Sequence, residues 1–242
     1  MLKNIKSNGV SMLSSSKILA QALCDLTEHV LYKDKFHWID SRCPNFKISF
    51  TVGTGSRTCF KFDSRRTRGK FVYGVKRIHE RFDFFSSVRL LTAVEIADRG
   101  YFHGKVTPST SLAAVVLHEF AHLIEVVRHD ERNGSHTPEF YKVLDRMHQS
   151  QYPAIIHSEI LNKMNQLGIN DQFTNGMSAI PESQYEFWRT MRAGMPCELF
   201  INESVTPGKI EKVNRKRVIV QVGNRSYSIH KQCVYMKNLL AV

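Results

Sequence analysis

The chain has 242 residues, a formal net charge of +12 and five cysteines. This length can hold one moderate domain with an ample core and a small additional module. The cysteines are odd in number and lack ligand spacing, which argues against a disulfide framework. No segment approaches the length expected of a membrane-spanning helix, and polar residues interrupt the N-terminus where a signal peptide is apolar. Length, composition and charge therefore argue against the secreted, disulfide-rich class and predict a cytoplasmic protein with no membrane partner.

The first part of the chain predicts a helix followed by a small sheet. Residues 1–13 are expected to be a flexible start, and residues 14–32 carry apolar side chains at helical spacing. Alternating or apolar runs predict four strands, over residues 46–52, 58–62, 71–78 and 88–95. The glycines at residues 53–55 predict a turn that joins the first two strands.

Basic residues concentrate before, within and after the third predicted strand. Residues 61–89 hold nine Lys or Arg against three Asp or Glu, and two aromatic residues, Phe71 and Tyr73, follow the most basic run. Such a surface suits phosphate contacts and base stacking. The predicted nucleic-acid contacts are Arg65, Arg66, Arg68 and Lys70. A solvated loop that aids solubility is the alternative interpretation, and binding to another acidic macromolecule is a third.

The most specific pattern is His118-Glu119-Phe120-Ala121-His122, inside an apolar stretch that Thr107 and Pro108 should begin as N-cap and first helical residue. Residues four apart lie on one face of a helix, so the two imidazoles can hold one metal ion. Glu119 can act as a general base toward water. Buried titratable groups need partners; the alternative to a metal is two core histidines hydrogen-bonded to their neighbours.

A catalytic zinc takes three protein ligands and leaves a fourth position open. His136 is the predicted third ligand, because it follows the turn-forming Asn133-Gly134 and precedes a second helix over residues 139–149 that Thr137-Pro138 should open. The competing ligands are His129, on the same helix as the motif, and Glu159. The longer motif HExxHxxGxxH does not continue here, because glutamate and arginine occupy its last two positions.

An HExxH helix, a short polar loop and then His-x-Pro-x-Phe opening another helix resemble the SprT-like metalloprotease domain, the family that includes Spartan. The resemblance covers roughly residues 15–150. It implies a zincin-like fold, with the HExxH helix packed on a small β-sheet whose edge strand pairs with extended substrate. It also implies zinc held by His118, His122 and His136, Glu119 as catalytic base, and proteolysis of DNA–protein crosslinks. Three departures are Thr137, where the family often has glycine, Leu123, where an alanine commonly follows the HExxH, and the lack of a CxxC pair for the zinc ribbon of many bacterial members.

The C-terminal part predicts a separate module. Residues 181–205 are expected to form a helical linker, and residues 206–242 show strand-like alternation with a tight hairpin at residues 222–225. A glycine-led basic strand there resembles KOW-like small β-barrels. Residues 209–237 hold eight Lys or Arg against one Glu, and the predicted nucleic-acid contacts are Lys212, Arg215, Lys216 and Arg217. Simple packing onto the protease domain is the alternative.

Taken together, the sequence predicts an α+β protein with a zincin-like metalloprotease domain over residues 14–180 and a small C-terminal β-barrel-like module. The predicted function is a zinc-dependent endopeptidase that cleaves proteins on or near DNA. Tyr101, His103 or Tyr141 could supply an oxyanion donor. The expected partners are a protein substrate and DNA, which would place the protein on DNA in the cytoplasm, or in the nucleus of a eukaryote. Two alternatives stay open: a protease with a dedicated protein substrate independent of DNA, and a non-enzymatic, zinc-stabilised nucleic-acid-binding protein.

Overall fold

A computed structural model of the chain describes residues 12–63, 67–129, 136–201, 204–214 and 217–237. The chain divides into two compact units. The first comprises Met1–Ser87 and Val106–Ser178, and the second comprises Val88–Lys105 and Ala179–Val242. Helices and two separate sheets give an α+β architecture, which confirms the predicted fold class at this level.

The first unit begins with a long helical segment. It consists of α1 (Met12–Leu26), a π-helical segment (Thr27–Tyr32) and α2 (Lys33–Arg42). Leu19, Leu23 and Leu31 are fully buried, as their helical spacing predicts. The helix continues beyond the predicted end at residue 32. The pattern does not reveal α2 because Ile39 is its one buried residue, so it has no apolar stripe.

The first sheet contains β1 (Lys47–Gly53), β2 (Cys59–Phe62) and β3 (Arg68–Gly74), in the order β1-β3-β2. β1 is parallel to β3 and β2 is antiparallel to it. The two strands expected to share a turn are therefore not neighbours. Their connection instead crosses the end of β3, where Lys76 N–H donates to the Gly55 carbonyl (3.2 Å) and Gly74 N–H donates to Thr58 Oγ1 (3.1 Å).

Two predicted strands are wrong in whole or in part. The strand expected over residues 71–78 ends at Gly74, and the chain continues as α3 (Val75–Glu80) and α4 (Phe84–Ser87). The strand expected over residues 88–95 is absent there: residues 91–99 form α5 (Leu91–Arg99), in the second unit. The reason is periodicity, because the buried residues of α5 follow a helical spacing that a short apolar run conceals; they are Thr92, Ala93, Glu95 and Ile96.

Three further helices complete the first unit: α6 (Pro108–His129), α7 (Pro138–His148) and α8 (Tyr152–Gln166). α6 is the helix predicted to carry the metal motif, and it is the centre of the core. Its Phe120 ring stacks on Phe71 of β3, with ring centroids 6.2 Å apart, and Phe71 also contacts Phe50 of β1 and Phe60 of β2. Phe71 thus joins all three strands to the motif helix.

α6 corrects one expectation about length. Pro108–Arg128 is long and apolar enough to cross a membrane by length and composition alone, although no such segment was predicted. However, 94% of its most apolar window is buried inside the protein. A buried core helix can share the length and the apolar composition of a membrane-spanning helix.

The second unit combines α5 with α9 (Glu182–Thr190) and a five-stranded antiparallel sheet. The strands are β4 (Pro196–Ile201), β5 (Ser204–Val213), β6 (Arg217–Val222), β7 (Arg225–His230) and β8 (Val234–Met236). They follow the order β7-β6-β5-β4-β8 around an apolar core that includes Phe187, Leu199, Val218, Val220 and Val234. The predicted hairpin is confirmed, since β6 pairs with β7 around Gly223. The expected linker over residues 181–205 is helical only in α9, because Pro196–Ile201 already belongs to the sheet.

Candidate metal centre

Three imidazoles converge beside α6, two from the helix itself and one from the residue two positions before α7. One ligand nitrogen from each of His118, His122 and His136 can be chosen so that all three lie within 4.8 Å of one another. The Nε2 atoms of His118 and His136 are 3.0 Å apart. His118 and His122 are buried, with 6% and 9% of their surface exposed, whereas His136 faces solvent. Among the described residues this cluster has three members, which matches the ligand number of an open zinc site.

The Phe140 ring of α7 packs against all three imidazoles of the cluster. Its ring centroid lies 4.3 Å from that of His122 and 5.0 Å from those of His118 and His136. The side chain is fully buried. A rigid aromatic ring in contact with all three imidazoles limits their rotation and excludes water from one side of the cluster.

A threonine cap fixes the backbone beside His136. Thr137 is the N-cap of α7, and its Oγ1 accepts a hydrogen bond from Phe140 N–H at 3.1 Å. The same hydroxyl donates to Glu125 Oε1 at 2.8 Å. This hydrogen bond therefore links the start of α7 directly to α6, and it holds the backbone next to His136 in place.

Glu125 also approaches a histidine of the cluster. Its Oε2 lies 4.0 Å from Nδ1 of His122, which is buried and has no hydrogen-bond partner among the described residues. Metal-binding histidines generally donate their second nitrogen to a carboxylate or carbonyl. The two atoms are not hydrogen-bonded at this distance; a closer approach would let Nδ1–H donate to Glu125 and would leave Nε2 as the nitrogen available to a metal.

The electrostatics of the cluster fit a divalent cation. Burial, with the neighbouring His118 and His136, lowers the pKa of His122 to about 3. The ring is then neutral near neutral pH, which is the form that binds metal. Three imidazoles, beside the two buried carboxylates of Glu119 and Glu125, form a donor set that zinc accepts.

Glu119 lies next to the sheet. Its Oε2 accepts a hydrogen bond from the backbone N–H of Phe60 at 2.6 Å. Phe60 belongs to β2, an edge strand of the described sheet. Since this N–H is directed to α6 and not to β3, it lies on the free edge of β2. The carboxylate predicted to act as a base is therefore adjacent to a strand edge that could accept extended peptide.

Of the two competing third ligands, Glu159 does not join the cluster. Glu159 is an exposed residue of α8 that lines a groove between α1 and α8, and it is not in the histidine group. The side chain of His129 lies outside the described residues. Of the possible oxyanion donors, Tyr141 has its ring centroid 6.2 Å from that of His136. Tyr101 and His103 belong to the second unit, where the Tyr101 hydroxyl accepts a hydrogen bond from Arg99 Nε at 3.0 Å.

The predicted nucleic-acid contacts are only partly described. Arg68 and Lys70 on β3, Lys212 on β5 and Arg217 on β6 are exposed, and the Arg217 guanidinium donates to Ser228. The remaining four, Arg65, Arg66, Arg215 and Lys216, lie outside the described residues.

The prediction that Phe71 and Tyr73 provide a surface for base stacking is wrong. Phe71 and Tyr73 are fully buried, and the Tyr73 hydroxyl bonds to Thr27 Oγ1 at 2.6 Å. Strand alternation explains this, because it turns Phe71 and Tyr73 toward the core and leaves Arg68 and Lys70 outside.

Comparisons with known proteins identify no relative: no family model, no curated protein and no solved structure matches the chain.

Two contributors to the site were not predicted from sequence. Phe140 stands in the His-x-Pro-x-Phe pattern, and the position of an aromatic residue in the first turn after the third histidine is the signal that could have indicated its contact with the cluster. The Phe60 N–H has no such signal, since the pairing of β2 at an edge depends on the strand order.

Proposed function

We propose that the protein is a zinc-dependent endopeptidase of the SprT-like, zincin-like type, acting on proteins on or near DNA. The observation that carries the proposal is the triangle of His118, His122 and His136 nitrogens within 4.8 Å, with Glu119 on the same helix. Among the described residues the site has three ligands, which supports a catalytic assignment over a structural one, because structural zinc is usually closed by a fourth protein ligand.

In this proposal the three histidines would hold zinc, which when bound would supply a Lewis acid toward the scissile carbonyl and water. Glu119 takes a proton from the attacking water and then delivers it to the amine that leaves. Glu125 and Phe140 keep the imidazoles in place. Each role is a distinct job for a side chain whose position is set by α6 or α7.

Substrate recognition would use the edge of β2. An extended peptide can add to a free strand edge through main-chain hydrogen bonds, which tolerate varied side chains. The contact between Phe60 N–H and Glu119 places that edge beside the proposed base. A peptide bond of a substrate aligned along β2 would thus lie close to the Phe60 N–H and to the Glu119 carboxylate.

The association with DNA rests on charge. The chain carries +12, and exposed basic residues of both units include Arg68, Lys70 and Lys212. Nucleic-acid binding by such residues weakens steeply with salt. The same proposal includes two further parts. The C-terminal sheet forms a barrel-like module, and the protein is located on DNA, in the cytoplasm or in the nucleus.

The test compares wild type with Glu119→Gln. The variant should bind one zinc per chain, measured by elemental analysis, and should lose cleavage of a DNA-bound protein by at least about a hundredfold, because the proton acceptor is gone. His136→Ala should lose zinc as well as activity. Cleavage by Glu119→Gln at the wild-type rate would overturn the assignment of the base, and a zinc-free wild type would overturn the function. Turnover that DNA leaves unchanged would favour a protease with a dedicated substrate.

A further inference from the structure

A pocket separate from the histidine cluster lies among α2, α6, α7 and the start of α8. We call it the helix pocket. Its cavity volume is about 540 Å³, within the range of small-molecule sites. Its floor is apolar and consists of Phe120, Ile124, Val143 and Met147, all at most 8% exposed.

One wall of the helix pocket is aromatic. Trp38 is half-buried there, and the Arg42 guanidinium lies 5.2 Å from its ring centroid. Tyr152 lies in the same lining, with Lys35 Nζ 5.4 Å from its ring centroid. Aromatic rings interleaved with cations are the surface on which nucleic-acid bases stack.

The rim of the helix pocket is positively charged. Arg128 of α6 and Arg146 of α7 are exposed, and neither has an ion pair among the described residues. Asp34 is the one acidic residue of the lining, and it is engaged by Lys35 at 2.7 Å and by the Tyr152 hydroxyl. These hydrogen bonds lower the pKa of Asp34, Lys35 contributing most. The free charge at the rim is therefore cationic.

We propose that the helix pocket binds one nucleotide of a single-stranded nucleic acid, with the base against Trp38 and the adjacent phosphates at Arg128 and Arg146. An apolar floor, an aromatic wall and two rim guanidiniums match a flat ring joined to anions. The inference deepens the proposed function by naming where nucleic acid binds, and it rests on that function only for the biological role of binding.

Tryptophan fluorescence gives a direct test, because the chain has two tryptophans, Trp38 in the helix pocket and Trp188 on α9. Titration with the oligonucleotide dT12 should quench the fluorescence of wild type and of Trp188→Phe, and should leave Trp38→Phe unquenched. Removal of the Trp38 ring in Trp38→Ala should weaken binding about tenfold or more, measured with labelled dT12. Quenching that persists in Trp38→Phe would overturn the proposal.

Charge variants provide a second measurement. Arg128→Ala and Arg146→Ala should each reduce the slope of log affinity against log salt by about 0.7, the value for one lost phosphate contact on a single strand. Lys142→Ala is the matched control, since Lys142 lies one turn before Arg146 on α7 and pairs with Glu139 at 2.8 Å. Slopes that match the control would contradict the assigned phosphate contacts.

The ligand class is decided by the choice of probe. Quenching by dT12 or by rU12 supports a nucleotide site, and the tighter of the two names the natural strand. Quenching of Trp38 by dodecanoate or by an acidic peptide, with no response to either oligonucleotide, would overturn it. Glu119→Gln should bind dT12 as wild type does. Wild type that binds dT12 but cleaves no DNA-bound protein would retain the helix pocket and remove the proposed function, whereas DNA-stimulated proteolysis by wild type with an unresponsive Trp38 would do the reverse.

Discussion

At the residue scale, Glu125 connects α6, which supplies two of the imidazoles, with the start of α7, which follows the third. One oxygen accepts from Thr137 at the start of α7, and the other lies 4.0 Å from His122 Nδ1. A carboxylate that accepts a hydrogen bond from the second nitrogen of a metal-binding imidazole raises the basicity of that imidazole and fixes its orientation, and Glu125 is the carboxylate that could approach His122 in this way. The residue occupies the position at which the longer HExxHxxGxxH motif has glycine, so its role belongs to this chain and not to that motif.

Glu125→Gln should weaken zinc binding by about 10–100-fold, measured by competition with a chelator. The amide oxygen can still accept from Thr137, so the loss would report the missing charge beside His122. Glu139→Gln is the control, because Glu139 is a surface residue of α7 paired with Lys142. Equal zinc affinity in Glu125→Gln and the control would contradict the assigned role.

His148, the last residue of α7, predicts a pH dependence of stability. Burial lowers its pKa from 6.5 to about 3, partly offset by Asp145 and reinforced by His118. The folded state keeps the ring neutral while the unfolded state binds a proton below about pH 6.5, so stability is lost as pH falls from there toward about 3. One proton corresponds to about 1.4 kcal/mol per pH unit.

In His148→Gln the free energy of unfolding should therefore fall less between about pH 6.5 and about pH 5 than in wild type, by up to about 2 kcal/mol. Urea titrations of metal-free protein at several pH values measure the difference. Identical pH profiles would show that His148 titrates alike in both states.

At the element scale, the connection between β1 and β2 determines the sheet order. Gly74 ends β3 directly beneath it: a Cβ at this residue would lie 2.6 Å from the Arg57 carbonyl oxygen and 3.0 Å from Arg57 N. The backbones approach too closely for any side chain. The strand order β1-β3-β2 thus depends on a glycine.

Gly74→Ala should destabilise the first unit by about 1–3 kcal/mol, the typical effect of overpacking. Gly55→Ala in the same connection should change stability by less than about 0.5 kcal/mol, since a Cβ there meets nothing within 4 Å. Thermal or urea unfolding of the two variants makes the comparison. A Gly74→Ala protein as stable as Gly55→Ala would mean that the crossing can move apart without cost.

The elements that sequence predicts correctly are those with a local cause. The helix of His118 and His122 has a long apolar period, and α7 has a Thr-Pro start, so both helices and the convergence of His136 could be anticipated. The parallel pairing of β1 with β3 could not, because it depends on contacts between distant residues. Val88 and the residues after it form too short an apolar run to distinguish strand from helix. Phe71 and Tyr73 were misassigned because a basic neighbourhood conceals which face of a strand is buried.

At the scale of the whole molecule, the two compact units differ in what should stabilise them. The histidine cluster lies entirely in the first unit, and the second unit has its own apolar core. A ligand that binds only the folded form stabilises it by mass action, by about 2.7 kcal/mol at a hundredfold excess over Kd. Metal binding should therefore raise the stability of the first unit and leave that of the second unchanged.

Calorimetry of the zinc-loaded protein should show two transitions, and a chelator should lower the Tm of one of them. Thermal melts followed by tryptophan fluorescence assign the transitions: Trp188→Phe retains only Trp38, which reports on the first unit, and Trp38→Phe retains only Trp188, which reports on the second. His136→Ala should abolish the effect of the chelator. A shift of both transitions by the same amount would indicate that the units unfold together.

The resting position of Glu119 has a consequence for which chains are cut. In a peptidase of the proposed kind, an arriving strand and the general base compete for the same amide hydrogen, that of Phe60. A brief or poorly aligned encounter forms too few main-chain bonds to displace the carboxylate, whereas a long stretch of opened polypeptide forms enough. The choice of substrate would then depend on how much of a target protein is unfolded and hardly on its amino-acid sequence. Folded proteins nearby would therefore not be cleaved.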